Sequence, residues 1–312
     1  MKKLLTGLAA LAVSASAFAS QPLLSPTELQ ATLTAPNVRV IDIRDPKSYA
    51  TGHIQGAVSA PYGKWRGPAE NPGDLPPLKK LTELVQSLGL TPQTHAIVVS
   101  SGANDTDFGA AARVYWTLRV LGLENLSILN GGVKAWETAG LALDKNSVSV
   151  AASTFEPTIN DKLLITRDEL AKEMGKASAI LVDARPEDFY NGKTRHGAAK
   201  VSGTLEGAVN VAHSVWFKPG TSQLIDAQQA KEIATKNNLA LEDKAVVSFC
   251  NTGHWAATNW FVLSELVGDK NVKLYAGSMV DWTQSPEALP MKNVPNRFQQ
   301  LTYDVKNWWS KL

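Results

Sequence analysis

The chain has 312 residues, 44% of them hydrophobic, with 31 basic residues against 29 acidic ones and five histidines. That length and apolar content fit two ordinary folded domains and exclude a disordered chain. So even a charge balance also lacks the basic field that would recruit nucleic acid or an anionic lipid surface.

The first residues read as a leader. Lys2 and Lys3 precede an apolar run from Leu4 to Val13, and small residues end the segment at Ala17, Phe18 and Ala19. This is the pattern of a secretory signal, residues 1–19, with cleavage after Ala19. The apolar run is shorter than the roughly 20 residues a spanning helix needs. The expected location is therefore periplasmic or secreted, with no membrane attachment after cleavage. Loss of Lys2 and Lys3 leaves 29 basic against 29 acidic residues, a net charge near zero.

Past the leader, a helix is expected over Ser25 to Ala31, then a buried strand at Val40–Arg44 and a turn-then-strand unit at Gly52–Val58. Arg66 to Pro77 holds four prolines and reads as a long surface loop lying against the other domain. A helix at Leu78–Leu88, a strand at Ala96–Ser100, a helix at Ala110–Leu121 and the group Asn130, Gly131, Gly132 and Trp136 complete the first unit. Asp144 to Pro157 lacks helical periodicity and marks the boundary.

The same order then recurs. A helix at Arg167–Met174 is followed by a strand at Leu181–Arg185 and a turn-then-strand at Gly203–Val209. A helix at Ala227–Lys236, a strand at Ala245–Ser248, a helix at Ala256–Leu266 and the group Ala276, Gly277, Ser278 and Trp282 follow. The offset is 141 residues between Asp42 and Asp183 and 146 between Trp136 and Trp282. So steady an offset indicates a duplicated domain. Strands alternating with helices argue an α/β fold, a mainly parallel sheet flanked by helices in each copy. The N-terminal domain is placed at 22–145 and the C-terminal one at 155–312. The tail from Met291 to Leu312, with Trp308 and Trp309, is expected to pack against the second domain.

Cys250 is the only cysteine, so an exported chain has no internal disulfide to form and carries a free thiol. It stands between a strand and a helix, followed by Asn251, Thr252, Gly253, His254 and Trp255. Ligands of parallel α/β sheets bind at the carboxyl ends of strands. A loop that curls there points backbone amides inward at the positive end of a helix, which favours thiolate over thiol and holds an anion. Gly253 suits the sharp turn. A cysteine-dependent phosphatase shares this logic but needs an arginine closing the loop, and Ala256 stands there instead.

The repeat and the Cys250 loop together resemble the tandem-domain rhodaneses, the thiosulfate and 3-mercaptopyruvate sulfurtransferases. The resemblance spans roughly Leu23 to Pro290 and rests on the Asp42 and Asp183 strand ends, Gly52–Val58, Asn130–Trp136, Gly277 with Trp282, and the cysteine loop. It implies two rhodanese-like domains, the first non-catalytic, with Gly102 in the place of Cys250. It also implies transfer of a sulfane sulfur from a small anionic donor to a thiol or cyanide acceptor through a Cys250 persulfide, with neither metal nor cofactor.

By the same resemblance Arg185 binds the anionic donor; the other reading is an ion pair with Asp183 or Glu187. Asn251, Thr252, Gly253, His254 and Trp255 complete the candidate substrate-binding set. Thiosulfate-preferring members carry cations directly after the cysteine, where Asn251 and Thr252 stand here. Thr252 and Gly253 match two of three positions of the mercaptopyruvate pattern, so the donor stays open between the two. His254 is either a titratable cation beside the persulfide or a loop residue facing water, and Trp255 either packs at the domain interface or walls the pocket. His53 reads as structural. A carrier or oxyanion-binding protein without turnover is the remaining alternative.

Overall fold

The computed structural model describes residues 20–174, 179–239 and 244–309, so the leader read at 1–19 lies outside the described residues. In the first copy, strands β1 (Leu23–Leu24), β2 (Val38–Asp42), β3 (Val58–Ser59), β4 (His95–Val99) and β5 (Leu126–Leu129) form a parallel sheet in the order β1-β5-β4-β2-β3. Helices α1 (Pro26–Thr32), α2 (Pro46–Thr51), α3 (Leu78–Ser87), α4 (Asp105–Val120) and α5 (Gly132–Thr138) connect them. The central strand reads His-Ala-Ile-Val-Val, and Ala96 to Val99 are fully buried, as expected of a strand covered on both faces.

The second copy repeats the plan. Its elements are α6 (Arg167–Glu173), β6 (Ala179–Asp183), α7 (Glu187–Tyr190), β7 (Thr204–Leu205), β8 (Val209–Asn210), α8 (Ala227–Lys236), β9 (Ala245–Phe249), α9 (Trp255–Phe261), β10 (Val272–Leu274) and α10 (Ser278–Thr283). The sheet runs β10-β9-β6-β8 in parallel, and Leu164 bridges Leu274 on the edge that β1 occupies in the first copy. Matching helices start alike: Ser25 with Glu28 caps α1 and Thr166 with Glu169 caps α6, each side chain taking the other's free amide. α9 continues into a wider turn over Val262–Val267, so the helix spans the stretch expected from the sequence. α4 begins five residues earlier than its apolar period suggested, because the Asn104 side chain accepts from the Asp107 amide and caps it there.

The tail packs on the second domain through its first residues, Met291 lying against that core, and the side chains of Trp308 and Trp309 lie outside those described. β11 (Met291–Lys292) pairs antiparallel with β7, but in α11 (Arg297–Trp309) Phe298, Leu301 and Val305 are 79%, 63% and 49% exposed. Spacings of three and four residues put these three on one helix face, which turns to solvent instead of packing on the domain.

The two copies meet through α4 and α9. Both are buried along nearly their whole length, and rings interlock between them: Phe108 meets Phe261 edge-on at 5.6 Å, and Tyr115 meets Phe261 at 5.0 Å. The Tyr115 hydroxyl donates to Glu265, and Trp116 donates to the Leu163 carbonyl. Phe261 is the centre of this contact and is fully buried. Phe261→Ala is expected to lower unfolding free energy by ~3–5 kcal/mol in chemical denaturation.

Candidate active site

Strand register fixes which loops correspond. Asp42 lies opposite Val99, and Asp183 lies opposite Phe249, so the residue after each strand is Ser100 in one copy and Cys250 in the other. The following loops hydrogen-bond identically: Val133 and Lys134 amides donate to the Ser100 and Ser101 carbonyls, while Met279 and Val280 amides donate to those of Cys250 and Asn251. The residue in the place of Cys250 is thus Ser100, not Gly102 as the sequence comparison had it. Two loops of one length offer no gap by which sequence alone could set that alignment. Ser100 carries a hydroxyl where the second copy carries the thiol of Cys250.

Cys250 is buried, 1% exposed, at the mouth of α9. The amides of Cys250 and Gly253 converge on Ser278 Oγ at 3.0 and 3.1 Å, and that hydroxyl donates onward to the Tyr275 carbonyl. No described acceptor takes the amides of Asn251 and Thr252. Ser278 holds φ +55, the left-handed region that disfavours side chains, where the first copy has Gly132 at φ +59. Its three hydrogen bonds offset that strain. Gly253 is at φ +66, and a Cβ there would lie 2.4 Å from Arg113 Nη1 and 2.5 Å from the Ala276 carbonyl, so the turn requires glycine.

Arg185 is held behind the loop. Nε and Nη2 grip both oxygens of the Asp183 carboxylate, Nη2 also donates to the Gly203 carbonyl, and Nη1 reaches Asn251 Oδ1 at 3.4 Å. Arg44 makes the same grip on Asp42 and the Gly52 carbonyl in the first copy. The ion pair with Asp183 is therefore the one realised, and it orients Asn251.

His254 is half-buried at the domain interface and uncharged near neutral pH. Nε2–H donates to the Thr106 carbonyl at 2.7 Å, which leaves Nδ1 to accept the Tyr62 hydroxyl at 2.9 Å. Burial, and then the nearby Arg66, push its pKa down to about 4. Gly109 of α4 makes the approach possible, since a Cβ there would meet the imidazole at 2.9 Å. Trp255 packs at the domain interface: it stacks on His213 at 4.9 Å and donates to Thr106 Oγ1. His213 in turn lies 3.8 Å from Asp105 of the first copy, and burial lowers its pKa. His53 is remote and structural, stacked on Tyr49 at 4.0 Å with its ring nitrogens 3.1 Å from the Tyr49 and Asn146 carbonyls.

Three groups of the first domain join this site that sequence reading had not placed there. Arg66 donates to the Thr252 carbonyl at 2.8 Å and lies 5.3 Å over the Tyr62 ring. Arg113, fully buried on α4, donates to the carbonyls of Gly253, Gly73 and Asp74. Burial and then Arg66 bring its pKa down to about 9, opposed by Tyr62 and Cys250. Tyr62 is kept in its neutral form, chiefly by burial. An arginine inside the apolar helix Phe108–Val120 was the one available signal. The proline-rich segment from Arg66 does lie against the second domain: Gly73 packs on Ala276 and Gly277, and Gln284 donates to the Glu70 carbonyl.

His254 gives a pH dependence whose sign is fixed. Between the ordinary imidazole range near 6.5 and about 4, the unfolded chain binds a proton that the folded chain refuses, so stability falls as pH drops through that window. His254→Gln is expected to flatten the fall in Tm between pH 7 and pH 5, with the lowered pKa values of His95, His196 and His213 retaining a remainder. Ser278→Ala strands two buried amides and keeps the strained φ, and should lose ~1–3 kcal/mol in denaturant titration. Ser278→Gly, which relieves the strain, should lose less.

Known proteins place this arrangement. The Rhodanese-like domain family model matches residues 25–139 and 166–285. The thiosulfate sulfurtransferase of Azotobacter vinelandii is 31% identical over 272 residues, covering 86% of this chain and 97% of that protein. The thiosulfate sulfurtransferase of Pseudomonas aeruginosa is 32% identical over 276 residues, 87% of this chain and 98% of that one. Among solved structures, the 3-mercaptopyruvate sulfurtransferase SseA of Escherichia coli superposes with a TM-score of 0.70 at 24% identity, covering 83% of this chain and 99% of that one, a likeness of fold.

Proposed function

Because the chain belongs to the rhodanese family and is a sulfurtransferase, we propose that Cys250 carries the transferred sulfur as a persulfide between a small anionic donor and a thiol or cyanide acceptor. The observation that supports this most is the position of the only cysteine: it ends the central strand of the second copy at a helix N-terminus, in a loop with amides of Asn251 and Thr252 left for an anion.

With thiosulfate, the donor named for the two curated relatives, the step balances simply. The Cys250 thiolate attacks the outer sulfur, a new S–S bond forms, and the old one breaks with its electron pair leaving on sulfite. Cyanide or a thiolate then attacks the terminal sulfur, giving thiocyanate or a new persulfide and returning the Cys250 thiolate. Both steps end with the charge they began with. Asn251, Thr252 and Gly253 line the loop, Arg185 orients Asn251, and His254 and Trp255 lock the loop to the first domain. On this reading residues 1–19 direct export and are removed after Ala19.

Intact mass before and after thiosulfate or, separately, 3-mercaptopyruvate tests the reading. A gain of about 32 mass units, one sulfur, removed by cyanide and absent from Cys250→Ser, is the expected result. A gain on Cys250→Ser overturns the mechanism, and a stoichiometric gain without multiple turnover supports the carrier reading. The starting mass also reads whether the mature chain begins at Ser20.

A further inference from the structure

The Cys250 loop contains no cation of its own, because no lysine or arginine occurs between Ala245 and Asp269. His254 within it is bonded to Tyr62 and Thr106 and kept neutral chiefly by burial, and Arg185 behind it is already paired with Asp183. Yet the reaction read above brings a thiolate against a dianion, three negative charges in one water-poor loop. Like charges so placed repel strongly unless opposite charge faces them.

The structure supplies that charge from the other domain. Arg66 and Arg113 both end on the loop, on the carbonyls of Thr252 and Gly253, and lie near enough for each to feel the other's charge. Their described hydrogen bonds go to carbonyl oxygens, and neither forms an ion pair with a described carboxylate. Arg66 Nη1 and Arg113 Nε are buried N–H groups with no acceptor among the described residues. Two adjacent guanidinium groups, one fully buried, with N–H groups left over and only the field of the Asp74 carboxylate, which bonds to neither, set against Arg113, are unfavourable as they stand. An anion at the loop removes that penalty, and guanidinium geometry suits an oxyanion. Arg66 also lines a first-domain cavity of about 780 Å³ with Lys64, Lys80 and Glu83, three cations to one carboxylate around its side chain.

We infer that Arg66 and Arg113 form a two-cation site for the oxyanion end of a dianionic sulfur donor, so that donor recognition is carried by the first domain and sulfur by the second. This rests on the sulfur-transfer reading of Cys250 and names the donor class that site prefers. Arg66 presents its charge to the bound oxyanion, while Arg113, locked on three carbonyls, positions the Gly253 turn and adds its field.

Two measurements on the full chain separate the inference from that reading. In steady state, Arg66→Met is expected to raise KM for thiosulfate at least tenfold while changing kcat less than threefold, with a much smaller effect for the monoanionic 3-mercaptopyruvate. Arg66→Lys should recover most of the loss, and Arg113→Lys, which keeps the charge in a buried place, should stay folded by circular dichroism with an intermediate KM. In calorimetry, sulfite added to the Cys250→Ser chain reads the anion site without turnover, and Arg66→Met should weaken binding at least tenfold. Equal KM values in Arg66→Met and the parent chain, or sulfite binding unchanged by Arg66→Met, overturn the inference. Intact sulfite binding with no sulfur transfer from either donor overturns the reading of Cys250 and leaves the two-cation site standing.

Discussion

The contact between α4 and α9 is the constraint from which the rest of the site follows. Each helix is apolar on nearly every side and so has to be covered on every side, which a single sheet cannot do. Packing one against the other completes both. Each helix also begins directly after the loop that ends its central strand, so burying the helices together brings the two loops together at their amino ends. Cys250 becomes a residue of the interface for this reason, and so do Tyr62, Arg66 and Arg113, which have no other route to it.

Within that frame the two copies differ at a few matched places, and each difference changes the loop. Ser278 stands in the left-handed position of Gly132 and ties down the Cys250 and Gly253 amides. In the first copy the Gly102 amide is instead taken by the Asp107 carboxylate, a negative charge already seated in the loop. A cavity of about 510 Å³ lies over that first loop, bounded by Arg44, Tyr62, Asn104, Asp107 and His254. The short helical turns that follow β3 and β8 present Tyr62 in one copy and His213 in the other, and each side chain reaches the start of the opposite domain's interface helix, Tyr62 at His254 and His213 at Asp105. A fold repeated twice thus yields one site with unlike halves.

Much of this was legible in the residues. Periodicity and the recurrence of Asp42 with Asp183 and of Trp136 with Trp282 gave the duplication, because buried parallel strands leave continuous apolar runs that survive divergence. Strand, cysteine, glycine and helix in order marked the reactive loop. The register of the first loop was misread by two residues, since Ser100, Ser101 and Gly102 offer no chemical landmark and only backbone pairing ranks them. Arg66, Arg113 and Ser278 were missed for another reason: their parts are set by residues distant in sequence, 140 and 186 positions away in the Arg113 bond to Gly253 and the Arg66 bond to Thr252, and 28 and 25 in the Ser278 bonds to Cys250 and Gly253. Arg185 was legible as a cation with two readings, donor binding or an ion pair, and the curl of the strand that carries Asp183 two residues away decides for the pair.

The reach of Arg113 and Gly109 across the interface bears on the history of the chain. A duplicated unit that has lost its own nucleophile is ordinarily free to drift, shrink or be deleted, since selection sees only its partner. Here α4 of the first unit, which has no cysteine, holds the Gly253 carbonyl and leaves the space that His254 fills. Mutations in the first half of the gene therefore register in the shape of the second half's cysteine loop. The two halves are bound to descend as one unit, and an ancestor that shed the first would have had to rebuild the back wall of its thiol loop from nothing.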